Sequence, residues 1–250
     1  MPTHTTLDTY QGLVSTFADF LVVAIHTVLY ERDIYPRASF LSARKYNFPV
    51  RQNRHPKVCR WVADAVSAVE TELLKGTVAR VAVVIYSSAS QPLERFVFDL
   101  SSFPAVPPAE ATTPFLENSA TVSLVDLAEQ FRGVMQKLAF CGSSLTPLPE
   151  NCSFTVCIEL KANEEAPIGQ TSTPWIPSQP SLQPVSVVAG GAEGESSGLG
   201  GSGGNSSIGK DLGGVKTTPV RAVESGSFVL EVWVEEGRAK MNGPPVVTSG

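Results

Sequence analysis

Three stretches of the 250-residue chain match patterns that carry chemistry in other proteins, and all three fall in one tract. Gly200-Gly201-Ser202-Gly203-Gly204 fits G-x-S-x-G, the turn that presents a nucleophilic serine. Gly198-Leu199-Gly200-Gly201-Ser202-Gly203 fits the dinucleotide pattern G-x-G-x-x-G, and Gly204 through Lys210 fits the opening of a phosphate loop, G-x-x-x-x-G-K. Each pattern works only where a strand feeds in and a helix leads out with its N–H groups aimed at the anion. Here Leu212-Gly213-Gly214 follows, which is no helix start, and Asp211 stands where a magnesium-binding Ser or Thr belongs. Eleven of the twenty glycines crowd into residues 190–214, so the matches are read as products of composition.

The other reactive side chains are scattered. His4 lies in the N-terminal tail, and His55 precedes Pro56 at a helix start, where it caps. His26 sits on an apolar helix with Asp19 two turns earlier and is expected to be at the surface or half-buried. Cys59, Cys141, Cys152 and Cys157 lack C-x-x-C spacing, and with only three histidines they make no closed zinc site. Reduced, packed thiols are expected. No acidic pair stands out, so neither a catalytic residue nor a metal or cofactor is assigned, and the chain reads as a non-enzyme.

Charge is distributed unevenly. The whole chain carries −5, which argues against a protein held on nucleic acid by bulk charge. Between Arg32 and Arg60, however, eight basic residues meet one acid, Asp33. This segment either attracts an acidic partner or a phosphate backbone at low salt, or forms a solvated edge whose arginines stack on Tyr35, Phe40 and Tyr46. Arg132, on a later helix, is either an exposed charge or an interface anchor.

The elements that must position these residues follow from periodicity. Tyr10, Leu13, Val14, Phe17, Phe20, Leu21, Ala24, Ile25, Val28 and Leu29 recur at three- and four-residue spacing and predict a helix over 9–31. No apolar run is read as membrane-spanning, since Phe20 to Leu29 contains His26 and follows Asp19. An edge strand is expected at 46–50, where Pro49 is tolerated. A second helix starts with Pro56 at its first position, buries Val58, Val62, Ala65, Val66, Val69 and Leu73, and ends at Gly76. Residues 78–87 and 93–100 form a hairpin, a third helix places Leu124, Leu127, Phe131, Val134, Met135 and Leu138 on one side, and residues 152–158 make another strand. Five prolines between Pro167 and Pro184 lead into the glycine tract, which cannot bury enough surface to offset its ordering entropy. Alternation returns at 228–234. The expectation is an α+β domain, helices on an antiparallel sheet, with a C-terminal strand rejoining it across a long gap.

At this point the residues resemble a known family. The blocks Val28-Leu29-Tyr30-Glu31-Arg32-Asp33-Ile34-Tyr35-Pro36, Arg44-Lys45-Tyr46-Asn47-Phe48-Pro49-Val50, Val83-Val84-Ile85 and Glu94-Arg95-Phe96-Val97-Phe98 look like the HORMA domain. Cys152-Ser153-Phe154-Thr155-Val156, Pro174-Trp175-Ile176 and Val232-Trp233-Val234-Glu235-Glu236 follow in order. Within the family they resemble the branch of non-catalytic accessory subunits of DNA polymerase zeta. The resemblance implies a HORMA-like α+β fold over 9–236, three helices packed on an antiparallel sheet, with a safety belt at 163–236. A Gly/Ser-rich disordered insert would occupy 186–216, and 1–8 and 237–250 would be flexible tails. It implies an adaptor in translesion DNA synthesis, in the nucleus or in both nucleus and cytoplasm, that traps a peptide of the polymerase zeta catalytic subunit under the belt, with Tyr46 and Trp175 touching it. Glu231 and Trp233 would dock a Y-family scaffold polymerase, where the family pattern is a neutral amide and a tyrosine. Arg132 would sit in a HORMA dimer interface, and an AAA+ remodelling ATPase would be a further partner. No membrane is implied, and nucleic acid is reached only indirectly. The alternative within the fold is a spindle-checkpoint or other HORMA signalling adaptor.

Overall fold

A computed structural model describes residues 6–104, 106–115, 122–162, 164, 166–167, 175 and 214–241. The glycine-tract motifs, His4 and residues 176–213 lie outside them. The order is β1 (Thr6–Leu7), α1 (Tyr10–Glu31), β2 (Phe40–Lys45), β3 (Phe48–Asn53), α2 (Pro56–Leu74), β4 (Val78–Tyr86), β5 (Pro92–Asp99), β6 (Val122–Ser123), α3 (Leu124–Cys141), β7 (Ser153–Leu160), β8 (Gly214–Ser225), β9 (Phe228–Gly237) and α4 (Arg238–Met241). Single 3-10 turns stand at Arg37–Ser39 and Pro108–Glu110.

The three long helices begin where their caps direct. Thr9 accepts a hydrogen bond from the Gly12 N–H, His55 from the Lys57 N–H, and Ser123 from the Asp126 N–H. Pro56 opens α2, and Gly76 follows its end at φ +78, a conformation costly for other residues. By length and composition α1 is apolar enough to cross a bilayer, contrary to the sequence reading, but two-thirds of that window is buried inside the protein. It is the core helix, packed against α2, α3 and β3. That position also corrects the expectation for His26, which is 3% exposed and faces the Asn53 N–H through Nδ1 at 3.5 Å. Burial lowers its pKa, favouring the neutral ring.

The main sheet has five antiparallel strands in the order β7-β4-β5-β9-β8. Val81, Val83, Ile85, Phe96, Phe98, Phe228, Leu230, Val232 and Val234 face the helices in the principal core. Ala82, Val84 and Val97 face the other way and are covered by Tyr86, Cys157 and Trp233, so the centre of the sheet is buried on both faces. The strand at 228 returns to this sheet as expected, pairing Phe98 with Val232 and Phe96 with Val234.

Several boundaries differ from expectation. Residues 46–50 are not one strand: Tyr46 and Asn47, at φ +53 each, are the two-residue turn of the β2–β3 hairpin. Strand β8 begins at Gly214, inside the stretch 186–216 expected to be insert. It carries Pro219 at an irregularity on the sheet's outermost strand, the place where proline is tolerated. The expected tails are partly structured as well, since Thr6–Leu7 pairs with Val122–Ser123 and residues 237–241 complete β9 and form α4.

Candidate functional site

Among the described residues β7 pairs with β4 alone, so its other edge presents unpaired backbone groups. An aromatic rim lines this edge on the helix side. Trp61, on α2, is 41% exposed and meets the Phe154 ring edge-on at 4.8 Å, and Tyr35 meets Phe154 from another direction at 6.3 Å. Phe154, Val156, Ile158 and Leu160 lean toward the core, all only partly buried. A sheet edge of this kind accepts an extended segment through main-chain hydrogen bonds, and exposed rings beside it supply side-chain pockets. Burial raises the Tyr35 pKa, so its hydroxyl stays protonated at neutral pH.

Trp61 had a sequence signal. It lies off the stripe of Val62, Val66, Val69 and Leu73 that α2 buries, and a tryptophan outside the buried stripe of a helix has no core to fill. The residues expected from the resemblance are placed as follows. Trp175 is partly buried and packs on the principal core. Tyr46 stands at the β2–β3 turn with its ring 6.3 Å from Phe20 and 5.3 Å from Phe131, while Phe131 in turn meets Phe228 of β9 at 5.5 Å. Its ring therefore lies over the β9 side of the sheet, away from β7. Burial and the neighbouring Asp19 carboxylate push its pKa up.

Glu231 and Trp233 share the sheet face turned away from the helices, opposite Asp99 and Val97 of β5. Trp233 donates from Nε1 to Glu235 at 2.8 Å, and Arg80 lies 5.9 Å over its ring. Around it run ion pairs that tie four strands, β4, β5, β7 and β9: Arg80 to Asp99 at 2.6 Å and to Glu159 at 3.2 Å, and Arg95 to Glu159 and Glu235. Burial acts to raise the Asp99 pKa, but hydrogen bonds from Ser101 and Arg80 outweigh it and hold the carboxyl below its ordinary value. Arg132 is on the outer side of α3, paired with Glu129 and 36% exposed.

Four of the eight basic residues, Arg32, Arg37, Lys45 and Arg51, are ion-paired or stacked on a ring. Arg32 is buried against Glu94, Arg37 pairs with Asp33, and Lys45 lies 3.8 Å from Asp19. Arg37 and Arg51 flank the Tyr30 ring at 4.7 and 4.9 Å, so Tyr30 takes the stacking expected of Tyr35 and Phe40, while Lys45 does lie over Tyr46. All four cysteines are free. Among the described residues no three His, Cys, Asp or Glu side chains converge on a metal position.

Comparison with known proteins places this architecture. A family model described as HORMA domain matches residues 14–174. The chain belongs to the HORMA-domain family. It is 32% identical to the mitotic spindle assembly checkpoint protein MAD2B of Danio rerio over 151 residues, which cover 60% of this chain and 67% of that protein. It is 28% identical to the DNA polymerase zeta processivity subunit of Schizosaccharomyces pombe over 223 residues, 89% of this chain and 92% of that one. The Arabidopsis thaliana protein of the same name is 32% identical over 65% of this chain and 70% of its own. Among solved structures, a chain of the mitotic checkpoint complex superposes with a TM-score of 0.62 at 16% identity, covering 90% of this chain and 98% of that chain. HTP-2 bound to HTP-3 motif-6 superposes at 0.56 with 10% identity over 92% of each, and these two show the fold.

Proposed function

We propose that this HORMA domain is a peptide-capturing adaptor, the accessory subunit of a translesion polymerase zeta, without chemistry of its own. The observation that carries the reading is the β7 edge, unpaired among the described residues, with exposed Trp61 and partly buried Phe154 beside it, in a chain similar over most of its length to a polymerase zeta processivity subunit. The captured segment comes from the catalytic subunit and lies along β7 as an added strand, with its prolines against Trp61 and Trp175. The segment 163–236 acts as the belt over it, Tyr46 supports the fold from the β9 side, and the domain spans 9–236. Glu231 and Trp233 are the face offered to a Y-family scaffold polymerase, Arg132 the contact to a second HORMA domain, and an AAA+ ATPase the remodeller. The site of action is the nucleus.

Calorimetry of the full chain with a synthetic proline-containing segment of the catalytic subunit tests this. Wild type binds with a measurable heat, Trp61→Ala and Trp175→Ala lose it, and Tyr46→Ala lowers thermal stability more than affinity. Equal binding by wild type and a Trp61→Ala, Trp175→Ala, Tyr46→Ala triple variant would sink the proposal.

A further inference from the structure

Two strands away from β7, four charged side chains are packed out of water where the end of α1 meets the sheet. The Arg32 side chain is 6% exposed, Glu94 and Glu236 are 0% exposed, and Lys240 is 1% exposed. Arg32 grips Glu94 in a fork, Nε to Oε2 at 2.9 Å and Nη2 to Oε1 at 2.7 Å, and also donates to the Thr146 carbonyl oxygen at 2.8 Å. Lys240 donates to Glu236 at 2.6 Å and to Glu94. Thr146 donates to Glu236 Oε1 from its backbone N–H at 2.9 Å and its hydroxyl at 2.7 Å. Lys216 Nζ is 3.3 Å from Glu236 Oε2 but is directed at the Ser144 carbonyl oxygen, so that carboxylate oxygen has an ion-pair neighbour without a hydrogen bond.

The cluster divides into two halves of different origin. Arg32 and Glu94 come from the C-cap of α1 and from β5, the fixed frame. Glu236 and Lys240 come from β9 and α4, the last described segment of the chain, which reaches β5 only after crossing from β7 at the far edge of the sheet. Each half is a neutral pair. Gly237 makes the return possible: a Cβ there would stand 2.8 Å from the Pro92 carbonyl oxygen, so only glycine lets β9 close on β5 before α4 brings Lys240 back.

We infer that Arg32, Glu94, Glu236 and Lys240 form a separable ionic lock that holds the C-terminal hairpin β8–β9 on β5. Breaking a buried pair by removing one partner is costly because it strands a charge. Parting the two halves strands none, because each leaves with its own counter-ion, and loses the cross-bonds Lys240–Glu94, Thr146–Glu236 and Lys216 to the Ser144 carbonyl oxygen. The lock is thus strong while closed and reversible as a unit. Resting on the adaptor reading, it also sets how long a captured segment is retained, making these four positioning residues that act on release more than on capture.

Hydrogen exchange on the full chain tests the lock without any ligand. Lys240→Met leaves Glu236 buried without its buried cation, only the half-exposed Lys216 remaining nearby, and β8 and β9 amides should exchange on the order of 100-fold faster. Amides of β4 facing β7 should change by less than about twofold, because local opening leaves that part of the sheet intact. Lys240→Arg should restore protection, and the balanced double variant Glu236→Gln, Lys240→Met should be less affected than Lys240→Met alone. Unchanged exchange in Lys240→Met, or acceleration spread equally through β4 and β7, overturns the lock. In parallel, release of a captured synthetic catalytic-subunit peptide into excess competitor should speed up in Lys240→Met with association unchanged. If wild type captures no peptide, the adaptor reading fails while the exchange pattern still decides the lock.

Discussion

The two flanks of the central sheet are built on opposite principles. At β7 the backbone edge is free among the described residues and is bordered by Trp61, Phe154 and Tyr35, rings that sit partly in water. At β9 the edge is covered by β8, and the strand ends in four buried charges and a glycine that only close approach requires. An aromatic rim beside unpaired N–H and C=O groups gains by covering itself, with little demand on register beyond the alternation of side chains. A buried ion cluster permits few arrangements, since a charge moved away from its partners is stranded out of water. The first flank is suited to receiving a variable segment and the second to fixing an intrinsic one. The difference assigns the receiving and holding roles to different residues, which mutation can separate.

The largest separation comes from removing the rim. Trp61→Ala with Phe154→Ala should weaken capture of the catalytic-subunit segment by about 2–4 kcal/mol, the range of aromatic hot spots, measured by calorimetry. The exchange protection of β8 and β9 should be unchanged. If both binding and hairpin protection fell together, the two flanks would not be independent. Gly237→Ala is the reciprocal change. Its methyl would meet backbone, which cannot rotate away, and a loss of about 1–3 kcal/mol in thermal or denaturant unfolding is expected, as for overpacked sites. It should leave the Trp61–Phe154 contact in place, visible as unaltered tryptophan fluorescence below the transition.

The two flanks were also unequally legible in the sequence. Helix periodicity, the caps at Thr9, His55 and Ser123, and the alternation at 228–234 all act over a few residues, so α1, α2, α3, the β4–β5 hairpin and β9 were within reach. Tyr46-Asn47 was misassigned because a strand pattern and a left-handed hairpin turn overlapped, and the packing of the Tyr46 ring on Phe20 and Phe131 lies in no local window. Strand β8 was missed because Pro219 and Lys216-Thr217-Thr218 carry little apolar alternation, and what orders them is pairing with β9. Trp61 left a legible trace as an aromatic off the buried stripe. The lock left none: no local window joins Arg32 and Lys240, which lie 62 and 146 positions from Glu94, the one carboxylate onto which topology brings both.

Acid gives a gentler way to sharpen the contrast. Burial alone would raise the Glu236 pKa, but hydrogen bonds from Lys240 and Thr146 prevail and hold it at about 2 against an ordinary 4.5. A depressed folded-state pKa contributes stability that is complete above the unfolded value and is lost as pH falls. Protection of β9 should therefore be constant from neutrality to about pH 5 and decline between about 4.5 and 2. Glu236→Gln should flatten that decline in hydrogen exchange. The β7 rim is made of aromatic and apolar side chains, with Glu159 of that strand paired to Arg80 and Arg95, so the Trp61–Phe154 contact should not follow the decline.

The smallest effect isolates what burial adds. Lys216 approaches the same Glu236 carboxylate as Lys240, at 3.3 Å against 2.6 Å, but its side chain is 47% exposed where that of Lys240 is 1% exposed. Water screens the first pair and not the second, and an exposed lysine also gives up side-chain entropy to stay in place. Lys216→Ala should accordingly cost about 0–1 kcal/mol, shrinking further between low and moderate salt, in the range of exposed ion pairs. Lys240→Met should be nearly indifferent to salt, because ions do not reach it. If the two lysines proved equal in cost and in salt response, the charges around Glu236 would be acting through bulk electrostatics. The contrast between a receiving edge and a locked one would then rest on strand pairing alone.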